Sequence, residues 1–153
     1  MNLQLSSELN DILTYAQEEA IRLGNYTIST DHLILGILRH RENVSASIIS
    51  SLGVNVADLK VHLENAVMAK EPVPMEKENM LSLSKASENA LKIMFLEARS
   101  LHVIKPDSSH LLLAIMRGQD GYAVQYLENL GISYSKIREI IKEERSYITN
   151  SRH

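Results

Sequence analysis

The sequence predicts an all-α fold: two tandem, pseudo-twofold-related four-helix repeats packed as one eight-helix domain across residues 1–153. Three observations predict it. The chain matches itself without gaps at an offset of 78 residues, which places His32-Leu33 over His110-Leu111, Glu19-Ala20 over Glu97-Ala98 and Leu52-Gly53 over Leu130-Gly131. Apolar residues recur at three- and four-residue steps, the period of a helix with one buried face. One Phe, six Tyr and no Trp leave Leu, Ile, Val, Ala and Met to build the core, a palette suited to helix-on-helix packing.

The elements follow in order. Leu9, Ile12, Leu13, Ala16, Ala20 and Leu23 form the stripe of a first helix, with Ser6 as its cap and Gly24 placed to end it in a left-handed conformation. A second helix is expected to open at Thr30 as cap and to run through Leu33, Ile34, Ile37 and Leu38. A third spans Asn43 to Leu52 and stops at Gly53; a fourth starts after Asn55 and carries Val56, Leu59, Leu63, Ala66 and Val67. The second repeat repeats the plan. Ser84 caps a helix through Leu91, Met94, Phe95 and Leu101, Ser108 caps the next behind Pro106, Gly131 closes the third and Ser133 caps the last.

Repeat one is thus read at 5–69 and repeat two at 83–148, with a linker at 70–82 that holds Pro72 and Pro74 among charges and shows no periodicity. A unit of about 65 residues is marginal alone, so the two are expected to fold back on one another at a set distance.

Composition excludes several classes of function. Hydrophobic residues at 44% and charged residues at 23% describe a globular chain. No apolar run approaches the roughly 18 residues of a membrane span, and Met1-Asn2-Leu3-Gln4 opens no secretory signal, so a cytoplasmic protein with no membrane partner is expected. The absence of Cys removes disulfides, thiolate metal sites and cysteine nucleophiles. Net charge is −3, without the basic surplus of a nucleic-acid binder. The six glycines form no G-x-G turn, and Gly131-Ile132-Ser133-Tyr134-Ser135 lacks the closing glycine of a nucleophile elbow. His32 and His40, like His102 and His110, stand eight apart and offer no H-E-x-x-H metal motif. No metal or cofactor is expected.

His32 and His110 are read as packed, hydrogen-bonded residues holding each second helix to the first. Asp31 precedes His32 but Ser109 precedes His110, so no histidine–carboxylate pair is shared by the two copies. Glu19 and Glu97 are reproduced and are read as solvated or helix-bonding carboxylates. Three readings remain open at this point: a recognition domain or stand-alone helical scaffold, a small hydrolase or metal enzyme using His32, Asp31 and Glu19, and a helix-turn-helix DNA binder, which the acidic balance disfavours.

The doubled pattern carries a resemblance. Ala16-Gln17-Glu18-Glu19-Ala20-Ile21-Arg22-Leu23-Gly24, Thr30-Asp31-His32-Leu33-Ile34-Leu35-Gly36-Ile37-Leu38-Arg39 and Leu52-Gly53 recur more loosely as Leu96-Glu97-Ala98, Ser108-Ser109-His110-Leu111-Leu112-Leu113-Ala114-Ile115-Met116-Arg117 and Leu130-Gly131. The chain resembles the Clp repeat N-terminal domain of AAA+ unfoldases of the ClpA, ClpB and ClpC types, nearest to ClpC. The resemblance implies a non-catalytic module that binds adaptor proteins and unfolded or tagged substrates ahead of downstream ATPase modules, which deliver proteins to the ClpP peptidase. It also implies phosphoarginine or anion sites, with a cap hydroxyl near the phosphate and a carboxylate on the guanidinium: Ser6 with Asp31 in repeat one, Ser84 with Ser109 in repeat two. Ser109 carries no charge, so repeat two lacks the guanidinium partner.

Overall fold

The computed structural model describes residues 5–40 and 43–151, with side chains through 144. The tetrapeptide at the N-terminus and the Arg145 side chain, both weighed in the sequence, lie outside that set. Eight α-helices follow one another in the described chain: α1 (Ser7–Leu23), α2 (Thr30–Arg39), α3 (Val44–Ser51), α4 (Val56–Val67), α5 (Lys85–Ser100), α6 (Ser108–Gly118), α7 (Tyr122–Asn129) and α8 (Tyr134–Ser151). The fold is therefore the tandem all-helical one expected.

Most caps stand where the sequence places them. The Ser6 hydroxyl accepts from the Leu9 amide at 3.2 Å, and Ser84 accepts from the Ser87 amide at 3.0 Å. Asn43, Asn55 and Ser133 accept from the amides of Ala46, Asp58 and Lys136. Gly24 (φ 81°) and Gly131 (φ 81°) adopt the left-handed conformation that closes α1 and follows α7. Two caps are corrected by one residue. Ser29 and not Thr30 caps α2, and Asp107 and not Ser108 caps α6. The residue three further on decides this: His32 and His110 reach back to the backbone N–H of Ser29 and Asp107, closing capping boxes with histidine in the position usually held by Glu or Gln.

The core forms around α2 and α6. Every residue from Thr30 to Leu38 and from Ser108 to Met116 is buried, so these two helices are enclosed on all sides and not only along one stripe. Each lies against the first helix of its own repeat, and the two meet near the pseudo-twofold axis. Close approach dictates a small residue at Gly36: a Cβ there would stand 2.5 Å from the Ile12 carbonyl oxygen and 3.1 Å from the Ala16 amide. The equivalent position on α6 is Ala114, so repeat two holds a methyl group where repeat one has none. Gly36→Ala should destabilise the fold by about 1–3 kcal/mol, since backbone and not a flexible side chain must move. Urea denaturation checks this, and a variant as stable as the parent would show that α1 can shift freely.

The linker is more structured than expected. It carries a 3₁₀ turn at Met75–Met80 and a two-residue strand β2 (Ser82–Leu83), paired in parallel with β1 (Thr27–Ile28) of repeat one. It also wraps the end of α1. The Ala69 and Val73 amides donate to the carbonyls of Leu23 and Ile21, Val73 is buried, and Glu71 presses on Gly24, where any side chain would collide with its carbonyl. Segments of two residues leave no alternation to detect, which is why the strands were invisible in the sequence.

Candidate functional site

The histidines take the packed, hydrogen-bonded role expected. His32 Nδ1 accepts from the Ser29 amide at 2.9 Å, which fixes the proton on Nε2, and Nε2 donates to Asn25 Oδ1 at 2.8 Å. Burial pushes the pKa of His32 down to about 4, against a smaller opposing pull from Glu19. His110 accepts from the Asp107 amide at 2.9 Å in the same way, but its Nε2 is buried without a hydrogen-bond partner among the described residues. The sequence explains the difference: Val103 occupies the position equivalent to Asn25. Burial works to raise the pKa of Asp107, yet the His110 ring 3.2 Å away and the hydroxyl and amide of Ser109 hold it at about 2.

Asp31 is spent on the other repeat. Its two carboxylate oxygens accept from the backbone amides of Tyr122 at 3.0 Å and Ala123 at 2.8 Å, so a residue of α2 caps α7. The N-cap of α7 is Gly121, which has no side chain to do this, and a Cβ there would meet Asp31 Oδ1 at 2.9 Å and Thr30 Oγ1 at 2.8 Å. Repeat one solves the same problem differently. The equivalent residue is Asn43, which caps α3 itself, and the residue facing it across the axis is Ser108, whose hydroxyl bonds Asn43 Oδ1 and accepts from the Ser45 amide. Glycine with aspartate on one side is matched by asparagine with serine on the other.

The remaining predicted residues are also drawn inward. Ser109 is buried and donates to Asp107 Oδ1 at 2.5 Å. Glu19 and Glu97 are not solvated, as one of the two expectations had it, but buried and paired: Arg22 Nε lies 2.6 Å from Glu19, and Glu97 receives Arg117 Nε at 2.5 Å and the Tyr134 hydroxyl at 2.6 Å. No hydrogen bond joins Ser6 to Asp31 or Ser84 to Ser109 among the described residues. Each cap serine instead faces the opposite repeat. Ser84 donates its amide to the Ile28 carbonyl, and Ser6 lines a cleft shared with repeat two.

That cleft encloses about 560 Å³ between the start of α1 and the connection from α5 to α6. Leu5, Ser6 and Asn10 form one wall; Phe95, Ile104, Lys105 and Pro106 form the other. Ile104 is 96% exposed, an apolar side chain held in water at the rim. The arrangement offers apolar contact, one cation and amide and hydroxyl donors, a surface for binding and not a proton-transfer array. Sequence reasoning found Ser6 but missed Asn10, Phe95, Ile104 and Lys105; the one signal available was an isoleucine stranded in a polar connection. Glu19 acts on His32 through its charge, but no hydrogen bond links His32, Asp31 and Glu19 among the described residues, and no group of three or more His, Asp or Glu side chains among them is arranged to hold a metal.

Comparison with known proteins agrees with this architecture. The family described as Clp repeat (R) N-terminal domain matches residues 4–130. The chain is 31% identical over 129 residues to the chaperone protein ClpB of Oceanobacillus iheyensis, covering 84% of this chain and 15% of that protein. It is 30% identical over 128 residues to the negative regulator of genetic competence ClpC/MecB of Bacillus subtilis, covering 84% and 15%. Chloroplastic ClpC1 of Arabidopsis thaliana matches at 32%, covering 83% and 13%. The chain thus spans about one seventh of the curated relatives it matches. Among solved structures, the Hsp104 N-terminal domain from Candida albicans superposes with a TM-score of 0.74 at 15% identity, covering 94% of this chain and 92% of that one. The N-terminal domain of ClpD from Arabidopsis thaliana gives 0.69 at 15% identity, covering 94% of each. On the family match, the level of identity to its relatives and the doubled helical architecture, this chain belongs to the Clp repeat N-terminal domain family.

Proposed function

We propose that the chain is the substrate- and adaptor-recognition module of a Clp-type AAA+ unfoldase that supplies the ClpP peptidase, with residues 5–69 and 83–148 as its two repeats. The observation that carries this reading is the cleft at Ser6, built from both repeats and edged by exposed Ile104. Unfolded segments present apolar side chains flanked by free backbone groups, which such a cleft accepts through Phe95, Ile104 and the polar atoms of Ser6 and Asn10. The domain itself performs no chemistry in this reading, and the downstream rings supply ATP hydrolysis. A cytoplasmic setting belongs to the same reading, and chloroplastic relatives carry related sequence in an organelle.

Phosphoarginine fits this surface only in part. The start of α1 at Ser6 and the start of α5 at Ser84 favour a phosphate. The guanidinium partner is the weak half: Asp31 is engaged by α7 and Ser109 is neutral and buried. Anion recognition at Ser6 beside Lys105 is therefore favoured over recognition of the whole modified side chain.

The test is transfer of activity. Fused ahead of Clp ATPase rings lacking their own N-terminal domain, the chain should restore adaptor-dependent degradation by ClpP, and Ile104→Asp should reduce it by about fivefold or more through loss of apolar contact. Degradation indifferent to both the fusion and the substitution, with every adaptor tried, would remove the proposal.

A further inference from the structure

The exposed face of α5 has a feature that the cleft does not use. Lys85, Lys92 and Arg99 stand seven residues apart and therefore lie in one row about 21 Å long, with Leu96 between the last two, 59% exposed. None of the three cations has an ion pair among the described residues. Arg138 of α8 brings a fourth cation beside the end of α5, donating to Ser100 Oγ at 3.1 Å. Glu88, three residues from Lys85 and four from Lys92, lies between them on the same side of the helix and forms no ion pair with either among the described residues.

The sister repeat shows that the fold does not require this. At the equivalent positions α1 carries Ser7, Thr14 and Ile21, with Asp11 and Glu18 in place of Asn89 and Leu96. Its acids are engaged within the repeat, Glu18 by Arg39 at 2.8 Å and Asp11 near His40. The pseudo-twofold thus presents one face internally balanced and its mate basic. Helix stability accounts for Arg99, in the last turn of α5, but not for Lys85, its first residue, where the helix dipole disfavours a cation.

We propose that this face of α5 docks an acidic amphipathic segment of a partner protein, with carboxylates at heptad spacing against Lys85, Lys92 and Arg99 and one apolar side chain against Leu96. Charge complementarity selects the occupant, and the leucine gives it a register that a bare polyanion lacks. None of Lys85, Lys92, Leu96 and Arg99 lines the cleft, although Phe95 of its wall lies on the same helix, so substitutions in the row test this inference apart from the function proposed above.

The experiment titrates the full chain with a labelled synthetic helical peptide of about 18 residues that carries glutamates every seventh position and a central leucine. Binding should weaken with added salt, fall at least about tenfold in the triple variant K85E/K92E/R99E, and fall about threefold in Leu96→Ser. A peptide with lysines in place of the glutamates should prefer the triple variant. All four side chains are exposed, and unchanged unfolding midpoints would confirm that the variants are folded. Failure of the parent chain to bind, or binding unaltered in the triple variant, overturns the proposal. So does equal binding of a scrambled peptide or heparin together with indifference to Leu96→Ser, which would assign the face to anions in general.

Discussion

Asp31→Ala is expected to lower the unfolding free energy by about 3 kcal/mol. The carboxylate accepts from two amides at the start of α7, at 3.0 and 2.8 Å. Asp31 is only 3% exposed, so water cannot readily replace it. An orphaned buried N–H costs about 1–3 kcal/mol; the Ala123 amide would be left buried and the Tyr122 amide partly so. Part of that loss is offset. Burial raises the pKa of Asp31, with Asp120 adding to the rise and the two amides opposing it, so removing the acid also removes a desolvated charge. Asp31→Asn keeps one good acceptor and should fall between parent and alanine. Urea denaturation gives the magnitude, and amide exchange gives the location, since protection should drop at Tyr122 and Ala123 before it drops in α1. A loss below about 0.5 kcal/mol would mean that Asp31 does not tie the repeats together.

The second large effect is a loss of stability in mild acid that depends on His32. Its pKa is about 4 in the folded chain against an ordinary 6.5, so in the window between these values the unfolded chain binds the extra proton. Stability contributed by the neutral ring is complete above 6.5 and falls as pH drops towards 4. Between about pH 7 and about pH 5 this amounts to about 2 kcal/mol. Asp107, held at about 2, adds an acid loss only below the ordinary carboxylate range, so the two do not overlap. Asp31 acts with the opposite sign, because a raised carboxyl pKa makes protonation favour the folded state. His32→Gln isolates the effect. Glutamine at this position can still accept from the Ser29 amide and close the capping box, yet it does not titrate. Denaturation curves at the two pH values should show the acid loss in the parent and its near absence in His32→Gln. Equal acid sensitivity in both would place the titrating group elsewhere.

Both predictions rest on residues that the sequence singled out, but for reasons it did not contain. The repetition of His32 at His110 announced a structural role, because a residue needed for packing is needed twice in a doubled fold. The pattern was legible since helix caps and apolar stripes act over three or four residues, a distance the chain order preserves. Asp31 was visible as a departure from Ser109, yet its partner lies more than 90 residues away and is a pair of backbone amides, which no side-chain motif records. Glu97 is a milder case, with partners 20 and 37 residues away, whereas Glu19 pairs with Arg22 three residues on and only its burial was hidden. Glu97 reads as solvated until the folded chain places an arginine and a tyrosine against it. The clamped linker was unreadable for a related reason: its order comes from carbonyls of α1 and from β1, and it has no periodicity of its own.

The sequence by itself determined the doubling, the helices, the caps to within one residue and the family. Local hydrogen bonds and apolar periodicity are properties of neighbouring residues, and two copies of the same pattern confirm one another. Only the tertiary structure decided which polar residues are consumed in joining the repeats and which remain for a partner. That choice depends on groups brought together across the pseudo-twofold axis, where Asp31 meets α7, Ser6 meets the approach to α6, and the row from Lys85 to Arg99 is left facing water.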